Sequence, residues 1–512
     1  NTAKVGITVA QASAIEANSA KVGYTDALVS ANTDVVANTT KIGITVAQAS
    51  AIEANTAKIG ITSNQSNLLN EITSTSAELN LLDGITVSTS ELNYIDGATS
   101  NLQTQLNVKA SSINELSDAL IEDNSVYLGS NPSSSTNSAM ANTSVGINAL
   151  NDVTTGSRNV AIGNEAITNN TTGNDNIGVG TWALQSNTTG NSNTAIGLAA
   201  LKNSTSSNHT AVGYAALEAN TTGENNVALG KHTLWKNTTG SYNVGIGNQA
   251  LYENLTGQYN VGIGNQALLH NTTGNYVTAI GGKALQGNTT GGGNTAVGTN
   301  ALESNSTGSS NTVSGWNSLV SNTTGSYNVS MGVNSMFKNV EGSNNVAIGQ
   351  SALYNSTASG NVALGNEALY ANTTGEYNVG VGNGALKSNT TGETNTAVGY
   401  SSLSSNTTGD ENSSLGHGSL EANTTGFKNS SMGSYSLWKN TTGQYNSAFG
   451  HASLQENTEG IVNTAMGVWS MRQNTTGSRN TAFGYEGLYS NTTGEKNSSL
   501  GADAGFSNTT GS

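Results

Sequence analysis

Gly375-Glu-Tyr-Asn-Val-Gly-Val-Gly-Asn-Gly-Ala-Leu-Lys-Ser-Asn-Thr-Thr391 is followed at once by Gly392-Glu-Thr-Asn-Thr-Ala-Val-Gly-Tyr-Ser-Ser-Leu-Ser-Ser-Asn-Thr-Thr408, the same pattern 17 residues later. Written as Gly-x-x-Asn-(Thr/Val/Ser)-small-apolar-Gly-x-x-(Ala/Ser)-Leu-x-x-Asn-Thr-Thr, the unit shows its central glycine 22 times, from Gly146 to Gly501. Two copies are one residue short, with Ser206 and Ala358 where the others close on glycine. A fixed period of this length is the mark of a solenoid, in which each coil cannot bury its own apolar face and must stack on its neighbours.

Comparison of the copies suggests a role for each position. The residue before the central glycine is apolar in 21 of the 22 copies, as in Ile162, Val179, Ile196, Leu229 and Phe449, and Ser314 is its exception. It is read, with the Leu column of Leu184 and Leu251, as facing inward. The small residue two places before the glycine suggests a close approach of backbones near a symmetry axis. The central glycines, among them Gly163, Gly180 and Gly264, are expected to supply a positive φ or room for a neighbouring coil. Two asparagine columns (Asn159, Asn176, Asn193; Asn170, Asn187, Asn220) are read as amide ladders or turn holders, interrupted in the first column by His209 and Val277. The Val- and Thr-rich segment before the glycine favours a strand, whereas Ala, Leu, Glu, Gln and Lys after it predict a short helical turn or a second strand.

The repeats occupy 139–512, and two other zones precede them. Residues 1–62 predict a coiled coil, because Ile15, Asn18 and Val22, Val35, Asn38 and Ile42, and Ile52, Asn55 and Ile59 stand three and four apart, with Asn in the seam. Residues 63–138 carry short helical repeats (Ser76 to Gly84, echoed by Ser90 to Gly97), a heptad run through Leu106, Ile113 and Leu120, and a connector around Pro132.

Composition narrows the function classes. Charged residues make up 10% of the 512, against about 25% in an average globular chain. The formal charge of −15, with no cluster of Lys or Arg, argues against nucleic acid. There is no cysteine, so oligomerisation is the expected source of stability for so thin a core. No apolar run reaches the length of about 20 residues that spans a bilayer. The chain opens and closes inside repeat units, which predicts the interior of a longer polypeptide.

The Asn-Thr-Ala-(Ile/Val)-Gly segment is similar to the head repeats of trimeric autotransporter adhesins, and Ile52-Glu-Ala-Asn-Thr-Ala-Lys-Ile59 resembles the Asn-containing seam of their stalks. That resemblance implies a homotrimer whose Asn18, Asn38 and Asn55 surround chloride or another small anion, although the adhesin head unit is shorter than 17 residues. The combination of Ala77-Glu-Leu-Asn-Leu-Leu-Asp-Gly84, Val126-Tyr-Leu-Gly-Ser-Asn-Pro-Ser-Ser134 and the Asn-Thr-Thr-Gly units looks more like the long tail-fibre proteins of marine phages.

Sites for chemistry are sparse. The repeat zone holds Asp152, Asp175, Asp410 and Asp503, with Glu scattered, and no recurrent pair of the kind glycoside hydrolysis needs. The histidines at 209, 232, 270, 417 and 451 fall at differing places in the unit, so a metal site is not expected. The five Trp residues (182, 235, 316, 438, 469) are read as packing beside the core columns. Adjacent Thr-Thr pairs point apart and do not suit an ice-binding face. The resulting expectation is an extracellular structural shaft without catalytic activity, belonging to a homotrimeric phage tail fibre that meets a host glycan or protein through other parts. The alternative is a trimeric bacterial surface adhesin or a filament subunit.

Overall fold

The computed structural model describes Ser50, residues 119–129, Pro132 and residues 138–512. The expected coiled coil of 1–62, with Asn18, Asn38 and Asn55, lies outside the described residues, as does most of the 63–138 zone.

The repeats form a β-solenoid. Each unit contributes one three-residue strand, from β3 (Thr143–Val145) to β24 (Ser498–Leu500), and each strand is parallel to the next. The register is one unit per rung, so Val261 lies between Val244 and Thr278. Strands this short are weak alone, and their stability comes from the unbroken ladder. Within a strand the middle residue points inward and is buried, while the first and third point outward: Val160 is half-buried, Ala161 buried and Ile162 exposed.

That alternation corrects two expectations. The apolar residue before the central glycine faces out of its coil, with Ile162 at 41% exposure and Met432 at 48%. The small residue two places before the glycine faces its own coil's interior, not an axis between chains. Space is scarce there, since a Cβ added to Gly245 would lie 2.5 Å from Thr233 Cγ2. The period-two geometry of a strand forces this exchange, because neighbouring residues cannot share a face.

The half of the coil that follows the glycine is not helical, and from Ala119 onward no described residue is in a helix. Gln249 and Leu251 instead take left-handed backbone angles, φ 58° and 54°, and the pattern recurs coil after coil. Their amides point to opposite neighbours: Gln249 N–H donates to Lys231 O of the preceding coil at 3.0 Å, and Leu251 N–H to Ala267 O of the following one at 2.9 Å. A helical turn would consume these groups within the coil and leave the stack unpaired, so inter-coil hydrogen bonding overrides propensity. The Leu column, including Leu184, Leu217, Leu234, Leu251 and Leu268, is fully buried and forms the spine of the core.

The stack begins one rung before the repeats. Strands β1 (Ala119–Glu122) and β2 (Ser125–Leu128) form an antiparallel hairpin, and β2 pairs in parallel with β3. Leu120 thus lies in a strand, not in a heptad seam. The two-residue turn, Asp123 and Asn124 at φ 46° and 59°, has the left-handed pair that matches strand twist. Tyr127 is buried where later rungs carry Ala, Gly, Ser or, once, Val313, and it closes this end of the core.

Candidate functional site: ladders and outward faces

Inside the stack the recurrent polar residues are structural. In the column of Asn159 and Asn176, each side-chain oxygen accepts the main-chain N–H of the Asn one coil on (Asn176 N to Asn159 Oδ1, 3.0 Å). Each Nδ2 donates to a turn carbonyl, Gly173 O at 2.9 Å and Gly190 O at 2.8 Å. In the column of Asn170 and Asn187, Asn187 Nδ2 donates to Asn170 Oδ1 at 2.9 Å, while Asn170 Nδ2 closes its own Asn-Thr-Thr-Gly turn on Gly173 O. These buried amides satisfy backbone groups that a thin apolar core would leave unpaired.

The glycine columns lie against backbone. Gly163, Gly180 and Gly264 have φ near 130°, and a Cβ on Gly264 would come within 2.5 Å of Gly281 O. The glycine that closes Asn-Thr-Thr-Gly is as tight: at Gly274 an added Cβ would lie 2.4 Å from Asn271 Oδ1 and 2.6 Å from Gly291 O.

The two short coils are faults in the second ladder. Ser204 and Ser356 replace Asn there, and Asn187 Oδ1 and Asn339 Oδ1, one coil earlier, are buried without a hydrogen-bond partner among the described residues. The first fault also holds His209, buried in the Asn column. Its Nδ1 accepts from Asn226 N–H at 3.2 Å, and its Nε2 lies 2.9 Å from Ser206 Oγ. Burial pushes the imidazole pKa down to about 4.

Outside the core, charged and aromatic side chains pair between coils. Arg158 meets Asp175 at 2.6 Å, which holds the Asp175 carboxyl below its ordinary range. Trp235 Nε1 donates to Glu218 at 2.6 Å and Lys236 meets Glu253 at 2.7 Å, and twelve rungs on Trp438 donates to Glu421 at 2.8 Å and Lys439 meets Glu456 at 2.5 Å. Tyr242, Tyr259 and Tyr276 stack with centroids 4.8 and 5.2 Å apart, the rise of the sheet made visible in side chains. Such exposed pairs add little stability individually. Trp316 is 54% exposed, so the packing expected of the Trp residues is incomplete there. Asp152, Asp175, Asp410 and Asp503 are not brought together, and among the described residues no three His, Asp or Glu could hold a metal. No helix among the described residues is long and apolar enough to cross a membrane.

What the repeat comparison missed is the outward sheet face itself. Its third-position column runs Val145, Ile162, Val179, Ile196 and on to Phe483 and Leu500, and no first- or third-position residue of the 22 strands is charged. The signal was in the sequence, as apolar residues two apart around a small one. Comparison of the chain with protein-family models and with curated proteins finds no match.

Proposed function

We propose that this chain is the shaft of a homotrimeric extracellular fibre, of the phage tail-fibre kind, holding a receptor-binding tip at a distance from its anchor. On this reading it performs no chemistry and binds its target through other parts of the fibre. The observation that carries the proposal is the near-sameness of the 22 rungs: each repeats the same strand, and all but a few repeat the same glycine contacts and Asn bonds, so that a rung contributes length. At about 4.8 Å per rung the stack is roughly 100 Å long. Deleting residues 223–290, four whole units, is expected to shorten the fibre by about 19 Å in electron micrographs and to leave attachment to its target intact. Loss of attachment by a fibre that remains folded and shortened would show that those units carry recognition themselves. Images of the native assembly separate the two sources, since a tail fibre ends on a virion and an adhesin on a cell.

A further inference from the structure

We infer that the outward face of the parallel sheet is the surface on which copies of this chain associate, side by side, parallel and in register. The inference builds on the homotrimeric shaft and names the face that would hold it together. Three observations carry it.

The first is area. The third-position residues are exposed in 13 of the 22 strands, as in Ile162 at 41%, Val297 at 39% and Met466 at 40%, and half-buried in the other nine, as in Val179 and Ile263. At roughly 60 Å² per rung the 22 rungs offer on the order of 1,300 Å² of apolar surface, more than the roughly 800 Å² per partner of a stable complex and well above the 300–600 Å² patch usual on a monomer.

The second is charge. The 44 first and third positions of the 22 strands contain only Val, Ile, Leu, Met, Phe, Thr and Ser. Charges are abundant elsewhere on the coil, at Arg158, Asp175, Lys236, Glu253, Lys428 and Arg479. A sheet face turned to water ordinarily carries charged side chains among its polar ones, and here none interrupts the two columns.

The third is volume. In the last six rungs the third position enlarges to Leu415, Met432, Phe449, Met466, Phe483 and Leu500, while the first position holds only Ser or Thr: Ser413, Ser430, Ser447, Thr464, Thr481 and Ser498. A surface facing water has no need to trade size between its columns, but a packed one has.

The occupant follows from the same features. A partner must present an uncharged ladder of equal rise for roughly 100 Å, and a second copy of this chain does so at every rung. Parallel, in-register association also sets each rung beside its own twin.

The native chain has no cysteine, so a single thiol reports its neighbours. Ile196→Cys in the full chain is expected to form disulfide-linked dimers on mild oxidation. Thr189→Cys, exposed on another side of the stack, is expected to remain unlinked. In the assembled protein the Ile196→Cys thiol should react with a maleimide at least about tenfold more slowly than the Thr189→Cys thiol. An assembly of several chains in which Ile196→Cys is freely reactive and unlinked would overturn this face while leaving the homotrimer intact. Linkage of Ile196→Cys only to a copy carrying Phe449→Cys would overturn the parallel register, since rungs at opposite ends would then face each other. Sedimentation as a single folded chain would overturn both the interface and the homotrimeric reading.

Discussion

Two adjacent glycines show how much one position in the coil differs from the next. Gly281 has φ 134°, and a Cβ there would meet Gly298 O at 2.5 Å, whereas a Cβ on Gly282 would meet nothing within 4 Å. Gly281→Ala is therefore expected to destabilise its neighbourhood by several kcal/mol, and Gly282→Ala to be nearly neutral. Protease resistance of the two variants checks the contrast, and equal behaviour would mean that the close approach is not rigid. The leucines carry the opposite strain. Leu251 occupies a left-handed region that costs an L-residue about 1 kcal/mol, and its full burial, worth about 2 kcal/mol, offsets that cost.

At the scale of the element, the coils depart from one pattern at the two short units and at Val277. The unpaired Asn187 Oδ1 and Asn339 Oδ1 are expected to make the short coils the places where amide hydrogens exchange first, ahead of the unbroken run between Gly375 and Gly494. Uniform protection along the stack would contradict this. His209 adds a pH dependence at the first fault. Its pKa is about 4 in the folded chain against an ordinary 6.5, so the folded form binds fewer protons and stability falls with pH. The loss begins below about pH 6.5, is complete near pH 4, and amounts to roughly 3 kcal/mol for the local structure. Hydrogen exchange around residues 203–226 at pH 7 and pH 4.5 measures it, and His209→Asn, which restores the residue usual in that column, is expected to abolish the difference.

At the scale of the whole molecule, the stack is a one-dimensional crystal whose period is 17 residues. Removing eight residues, 248–255, instead of a whole unit would set Leu, Asn and glycine columns of all later coils against the wrong neighbours. The portion after the deletion is expected to lose protease resistance, whereas a chain lacking 248–264 should keep it. Intact folding after the eight-residue deletion would mean that the columns are less specific than their contacts imply.

The sequence by itself determined the period, the number of coils, the two glycine columns and the two Asn columns, because residues that face the same contacts in every coil are held to the same identity. It also contained the rung at β2, since Gly129 precedes Gly146 by 17 residues, but Tyr127 and Ser125 there disguise the unit. Only the tertiary structure decided which way each column points and how the second half of the coil is bonded. An apolar column is equally invariant whether it lines a core or an outer face, so periodicity alone could not separate Ile162 from Leu184. Local propensity favoured a helical turn around Leu251, and it yielded because the amides of Gln249 and Leu251 bond to the coils on either side, partners that exist only once the stack has formed.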